Sequence, residues 1–249
     1  MLQQELLNFE RKYCSNNNTW STIKLGLQEE GGPERWLKLD MEMLLGVIKF
    51  LPDKSVFFSN LIQPYIEKIT CIKITNLYGF LALETIFPHF FNRMDKLKAL
   101  NISFCKSRTW CLPSKKLPEK FPDTLTSLSL ERVPLQSFSN LKILTKFSFT
   151  NLEFSDPLDA LFTFLRGNPL LERVELTIGP DISICCCTQD QAPINLKKLQ
   201  FLMVNCLKKN DIAYLVSYIP PPKGAEVKIF PEEFGGLDAI LPHLGCVAM

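Results

Sequence analysis

Apolar triplets of one spacing recur along the chain: an apolar residue, two of any kind, a second apolar residue, one polar residue and a third apolar one. They read Ile69-x-x-Ile72-x-Ile74, Leu97-x-x-Leu100-x-Ile102, Leu125-x-x-Leu128-x-Leu130, Leu144-x-x-Phe147-x-Phe149, Leu171-x-x-Val174-x-Leu176 and Leu196-x-x-Leu199-x-Phe201. A shorter Val227-x-Ile229 follows, and successive central positions of the six full triplets lie 28, 28, 19, 27 and 25 residues apart. Alternate side chains of a strand face opposite ways, so the last two apolar positions point inward together while the first turns the chain into the strand. One such strand cannot bury its inner face alone, but stacked units share a core.

The stretches between triplets carry a helical period. Leu83, Ile86, Phe87 and Phe90 fall at i, i+3, i+4 and i+7, and so do Leu158, Leu161, Phe162, Leu165 and again Ile212, Leu215, Val216, Ile219. That spacing builds one apolar helix face. Ser155 or Asp156 suits the cap of the second helix, Pro157 its first turn, and Gly167 with Pro169 its end. Asn210 and Pro220-Pro221-Pro222 bracket the third. The 19-residue interval is a short unit with no room for a full helix. These elements predict an α/β solenoid of six or seven units over residues 66–249, a curved parallel sheet with helices outside. Phe230 to Leu244 is expected to cover its last unit. Residues 1–65 are expected to form a helical cap, with Trp20 to Leu25 as an earlier strand. A doubly wound α/β domain is the alternative, although such sheets carry no fixed strand motif at fixed intervals.

Composition narrows the function classes. The 249 residues carry 28 Lys+Arg against 26 Asp+Glu, a net charge of +2, so no single-sign field draws nucleic acid or an acidic membrane. The start, Met1-Leu-Gln-Gln-Glu-Leu-Leu, lacks a signal peptide's basic flank and apolar run. The most apolar stretch, 77–91, is broken by Glu84, Pro88 and His89, so no transmembrane segment is expected. The expected location is the cytoplasm or nucleus. Nine cysteines, an odd number, argue against a disulfide framework in that setting. Cys71, Cys105 and Cys206 are expected to pack as small hydrophobes.

Leu97-x-x-Leu100-x-Ile102-x-x-Cys105 resembles the leucine-rich-repeat consensus, including the cysteine of its cysteine-containing subclass; the other units offer Leu77, Val133, Leu152, Gly179 and Val204 at that last position. Phe121-Pro-Asp-Thr-Leu-Thr-Ser-Leu-Ser-Leu, Asp156-Pro-Leu-Asp-Ala-Leu-Phe-Thr-Phe-Leu and Asn168-Pro-Leu-Leu-Glu-Arg-Val-Glu-Leu resemble the F-box/leucine-rich-repeat families of mushroom-forming fungi. That resemblance covers roughly residues 66–245. It implies the substrate receptor of a ubiquitin ligase, whose repeats hold a protein substrate while an F-box docks to a Skp-type adaptor and a cullin. Leu39-Asp-Met-Glu42 through Leu51-Pro52 resembles an F-box opening. Asp40 stands where the family has Pro, and Gln63 and Ile66 replace its later Cys and Trp. The same stretch also reads as a plain amphipathic helix, which leaves a stand-alone repeat scaffold open as the second function.

Candidate sites follow from strand parity. The solvent-facing positions are Lys73, Thr75, Asn101, Ser103, Ser129, Glu131, Ser148, Thr150, Glu175, Thr177 and Gln200, the expected concave protein-binding face. They are also simply the polar half of alternating strands, and the set holds no Trp, Tyr or Arg of the kind that anchors interfaces. Cys185-Cys186-Cys187 invites a metal or thiol reading. With only His89 and His243 elsewhere and no Cys-x-x-Cys, a loop of small thiols is the competing account. Cys246-Val-Ala-Met249 fits a prenylation pattern at Cys246, or a chance match, since 235–245 carries no Lys or Arg. No Ser/His/Asp set or phosphate loop appears, so neither catalysis nor a cofactor is expected.

Overall fold

The structure, a computed structural model, describes residues 22–27, 35–40, 63–77, 93–104, 121–133, 135–151, 158–179, 192–206 and 209–231. Its strands are β1 (Thr22–Leu27), β2 (Arg35–Asp40), β3 (Ile69–Leu77), β4 (Ala99–Phe104), β5 (Ser127–Glu131), β6 (Lys146–Asn151), β7 (Arg173–Ile178), β8 (Phe201–Cys206) and β9 (Glu226–Pro231). Two α-helices occur among the described residues, α1 (Leu158–Gly167) and α2 (Lys209–Tyr218). All nine strands form one open sheet in the order β2-β1-β3-β4-β5-β6-β7-β8-β9. The two pairings made by β1 are antiparallel; every pairing from β3 to β9 is parallel. The fold is therefore α/β with a mostly parallel sheet.

Register explains why these strands stack. Ile72, Leu100, Leu128, Phe147, Val174, Leu202 and Val227 align across seven strands, and Ile74, Ile102, Leu130, Phe149, Leu176, Val204 and Ile229 form the second layer two residues on. In both layers the residues from β3 to β8 are buried, while Val227 and Ile229 of the edge strand are partly covered. A similar turn precedes most strands. The amides of Leu97, Leu125, Leu141, Leu171 and Leu199 donate to the carbonyls three residues earlier. The residue before each strand then continues the ladder: Lys98 N–H donates to Thr70 O at 2.7 Å, Thr126 N–H to Lys98 O at 3.0 Å, and Gln200 N–H to Glu172 O at 2.8 Å.

The helices cover the inner face as their period predicts. Leu161, Phe162 and Leu165 of α1 and Leu215, Val216 and, just past its end, Ile219 of α2 are buried. Phe164 packs on Phe147 of β6 at 4.6 Å between ring centroids, and Phe162 stacks on Tyr218 at 5.1 Å, which ties α1 to both the sheet and α2. The α1 helix ends at Gly167, and the fully buried Asn168 then satisfies two backbone groups. Its Nδ2 donates to Phe164 O at 2.9 Å, and its Oδ1 accepts from Leu144 N–H at 3.4 Å. The α2 helix begins at Lys209, one residue ahead of the Asn210 expected to bracket it. Between β5 and β6 the short interval holds only a 3-10 turn, Leu135–Phe138, whose Phe138 is fully buried. The helix expected at 83–90, the proposed caps at 155–157 and the covering segment beyond Pro231 lie outside the described residues.

Two expectations are corrected. At 35–40 the N-terminal segment forms a strand in place of the expected helical cap, because Trp36-Leu-Lys-Leu-Asp alternates with period two, whereas β1 agrees with the strand expected at Trp20 to Leu25. Leu39 and Asp40 close β2, and β1 and β2 belong to the same sheet as the strands after residue 65. The sixth triplet is also displaced. Leu196 and Leu199 bracket the turn, and the inward triplet is Leu199-x-x-Leu202-x-Val204, so Phe201 faces outward.

This register separates two substitutions at neighbouring positions. Leu202→Ala should cost about 2–5 kcal/mol in urea denaturation, as for a fully buried leucine. Met203→Ala should cost under about 1 kcal/mol. Equal losses, or the reverse order, would return β8 to the other parity. Asn168→Ala strands buried backbone groups and should lower stability by about 1–3 kcal/mol, read from the same unfolding curves.

Candidate functional site

One face of the sheet is covered by the core, and the other carries partly exposed, mainly polar side chains. Ten of the eleven residues expected there take that parity: Lys73 and Thr75 on β3, Asn101 and Ser103 on β4, Ser129 and Glu131 on β5, Ser148 and Thr150 on β6, and Glu175 and Thr177 on β7. Lys73, Asn101, Ser129, Ser148 and Glu175 form a single row, continued by Met203 and Lys228. Thr75 pairs with Thr22 of β1 and falls in a register irregularity against β4. Gln200 is the exception. It precedes β8 in the connecting ladder, exposed and off the face, because the true triplet starts three residues later.

The middle of the face holds a charged network. Ser103 Oγ donates to Glu131 Oε2 at 2.7 Å, and Arg132 Nη1 donates to Glu131 Oε1 at 3.0 Å. The Arg132 side chain is only 4% exposed, against 41% for Glu131. Its backbone has a φ of 57°, in the left-handed region that costs energy for any residue with a Cβ, and its N–H donates to Thr150 O at 2.8 Å. The carboxylate thus compensates a guanidinium that would be costly to bury alone. On the same face, Asn101 Nδ2 approaches Cys71 Sγ at 3.9 Å, so Cys71 is half-buried beside a polar neighbour instead of packing in the core.

Toward β9 the character changes. Phe201 lies under the Arg173 guanidinium at 3.9 Å and within 5.4 Å of Lys228 Nζ. Arg173 Nε bonds Glu175 Oε1 at 2.5 Å, and Lys228 pairs with Glu226 at 3.0 Å. Met203 sits between Glu175 and Lys228 in the next row, and Phe230 is half exposed on the edge strand. Arginine, methionine and aromatic side chains are the residue types that anchor protein interfaces. The expectation of a face without such anchors is therefore corrected. The signal that reveals them is the 28-residue interval from Val174 to Leu202, which matches the earlier units and turns Phe201 and Met203 outward.

Among the described residues no group of three or more His, Cys, Asp or Glu could hold a metal ion, and no helix is long and apolar enough to cross a membrane. The Cys185–Cys187 run, Cys105, His89, His243 and the prenylation candidate Cys246 lie outside the described residues, and so does the Cys206 side chain.

The fold and this face define an α/β protein with an open, mostly parallel sheet and one polar face that ends in an aromatic and cationic cluster. Compared with known proteins, the chain matches no family model, no curated protein and no solved structure.

Glu131→Gln removes the counter-charge of the buried guanidinium. It should destabilise the fold by about 1–3 kcal/mol in thermal or urea unfolding, whereas Ser129→Ala on the same strand should change stability by less than about 0.5 kcal/mol. Matching effects at the two sites would remove the assigned role of Glu131.

Proposed function

We propose that this chain is a leucine-rich-repeat solenoid that binds a protein on its outward sheet face, as the substrate-recognition part of an F-box-type ubiquitin-ligase receptor. The observation that carries the binding reading is the seven-strand register: consecutive parallel strands, added in sequence order, align equivalent positions of each triplet. A doubly wound sheet reverses strand order at a switch point, where its ligands bind. From β3 to β9 the order does not reverse. The partner is a protein substrate, read by the surface of many strands together. The bond to the ligase, through a Skp-type adaptor and a cullin, rests on the resemblance of the repeats and of residues 39–52 to the fungal family.

A second reading is a stand-alone repeat scaffold with no ubiquitin connection. It is favoured by one observation: Leu39 and Asp40, which open the F-box resemblance, pair with Ile23 and Thr22 as the end of a strand.

Affinity purification of the tagged chain from its own cell type, with mass spectrometry, distinguishes the two. The receptor reading expects an adaptor and a cullin in stoichiometric amounts, lost on replacing Leu51 and Pro52 by Ala. A target protein should survive that change but be lost on Phe201→Ser, which removes an anchor worth tenfold or more in affinity, on the order of a hot-spot side chain. Recovery of a target without adaptor or cullin would leave the scaffold. Targets unaffected by Phe201→Ser would move the binding surface off this end of the face.

A further inference from the structure

The opposite end of the face has its own chemistry. Lys38 of β2, Lys24 of β1 and Lys73 of β3 occupy one row of the sheet, Lys24 being the direct partner of both others. Adjacent strands lie about 4.8 Å apart, so this row sets three lysine positions side by side on neighbouring strands. Like charges directly opposite on a sheet are destabilising. Lys24 and Lys73 are exposed, and among the described residues no carboxylate pairs with either. The nearest acidic position of the same parity, Asp40, ends β2 opposite Thr22.

Elsewhere on the face three cations sit beside carboxylates, while Lys146 of β6 is exposed with no carboxylate partner among the described residues. Arg132 has Glu131, Arg173 has Glu175, and Lys228 has Glu226, each a neighbour on its own strand or next to it. Lys24 and Lys73 differ from those three in lying directly opposite one another with no carboxylate beside either among the described residues. Beyond this pair the row passes through Asn101, Ser129 and Ser148 to Glu175, and the next cation without a carboxylate, Lys146, lies three strands away on β6. A long polyanion needs a basic track; a short acidic segment needs only this cluster.

We propose that the β2–β1–β3 end of the face is the docking site for an acidic peptide segment of the protein partner. Glu and Asp side chains of that segment supply the carboxylates that Lys24 and Lys73 lack among the described residues. The inference rests on the binding reading above and adds the partner's chemistry to it. From Lys73 on β3 to Met203 on β8 there are five strand steps, about 24 Å, which about seven extended residues span. One segment can therefore place carboxylates over the lysines and an apolar side chain against Phe201 and Met203.

The test uses the full chain and fluorescein-labelled hexaglutamate, followed by fluorescence anisotropy. The expected result is saturable binding that weakens about three- to fivefold for each lysine replaced in Lys24→Gln and Lys73→Gln. It should fall further as ionic strength rises from low to physiological. A control variant of equal net charge, Lys142→Gln with Lys197→Gln, should bind as the parent does; both lysines are exposed loop residues away from the row. Absence of binding, or equal losses in the control, would overturn the proposal. Tighter binding of a single-stranded oligonucleotide or of phosphatidylserine vesicles, lost with the same two lysines, would overturn it in favour of those ligands. Capture of a target that depends on Phe201 but not on the lysines would refute the acidic segment and leave the binding reading standing. Loss of both dependences would refute the reading itself.

Discussion

The hydrogen-bonded register of the parallel strands is the constraint on which the rest of the molecule depends. Most of the parallel strands enter through a similar turn, and from β4 on each is caught by the carbonyl ladder of the strand before it, from Thr70 through Lys98, Thr126, Thr145 and Glu172 to Gln200. Because side chains alternate with period two, a slip of one residue would exchange the whole buried set for the polar one. The alignment of Ile72 through Val227 and of Ile74 through Ile229 is thus one decision repeated at each strand, enforced by burial on one face. The other face inherits its order. Its rows exist because the core fixed where they fall.

That dependence explains what the sequence exposed and what it concealed. From β3 to β7 the triplets stand apart as isolated apolar positions among polar ones, and parity could be read directly. At β8 the run Phe201-Leu202-Met203-Val204 is apolar throughout, and Leu196 and Leu199 mimic the first two positions of a triplet. Alternation carries no information there. Only the interval from the preceding unit and the turn from Leu196 to Leu199 distinguish the registers. The difference bears on the face, since the other register would bury Phe201, which lies under the Arg173 guanidinium. At β2 the difficulty is the opposite one. Leu39 and Glu42 suggested a helix by resemblance, while the local alternation of Trp36 to Asp40 pointed to β2.

The chemistry of the outward face was less legible because packing does not dictate it. Serine, threonine and asparagine at Asn101, Ser129, Ser148, Thr150 and Thr177 satisfy the pleat equally well whether or not anything binds. Residues that differ from this background carry the information. The Glu131–Arg132 pair is accounted for by burial, since a guanidinium of 4% exposure demands a counter-charge. The two ends are not explained in that way. Neither the lysine row nor the Phe201 cluster is needed to close the core.

In the binding proposed above, the two ends would divide the work of recognition between them. At the β7–β9 end the cations are already paired with Glu175 and Glu226, and the Arg173 guanidinium already stacks on Phe201. A partner that covers this cluster meets preorganised side chains, so little conformational entropy remains to be lost and apolar area can be converted to affinity. At the β2–β1–β3 end Lys24 and Lys73 face each other without such partners among the described residues, so negative charge laid over them would relieve their repulsion. Exposed charges of that kind contribute modestly to final affinity but steer encounter and penalise a wrong partner. A basic segment laid across the same face would add its charge to three lysine positions, while its apolar residue met the same Phe201. On that proposal the discrimination between acidic and basic partners would lie in the lysines, and the residence time in the aromatic end. The intervening hydroxyl-bearing rows hold the two at a separation fixed by the strand spacing.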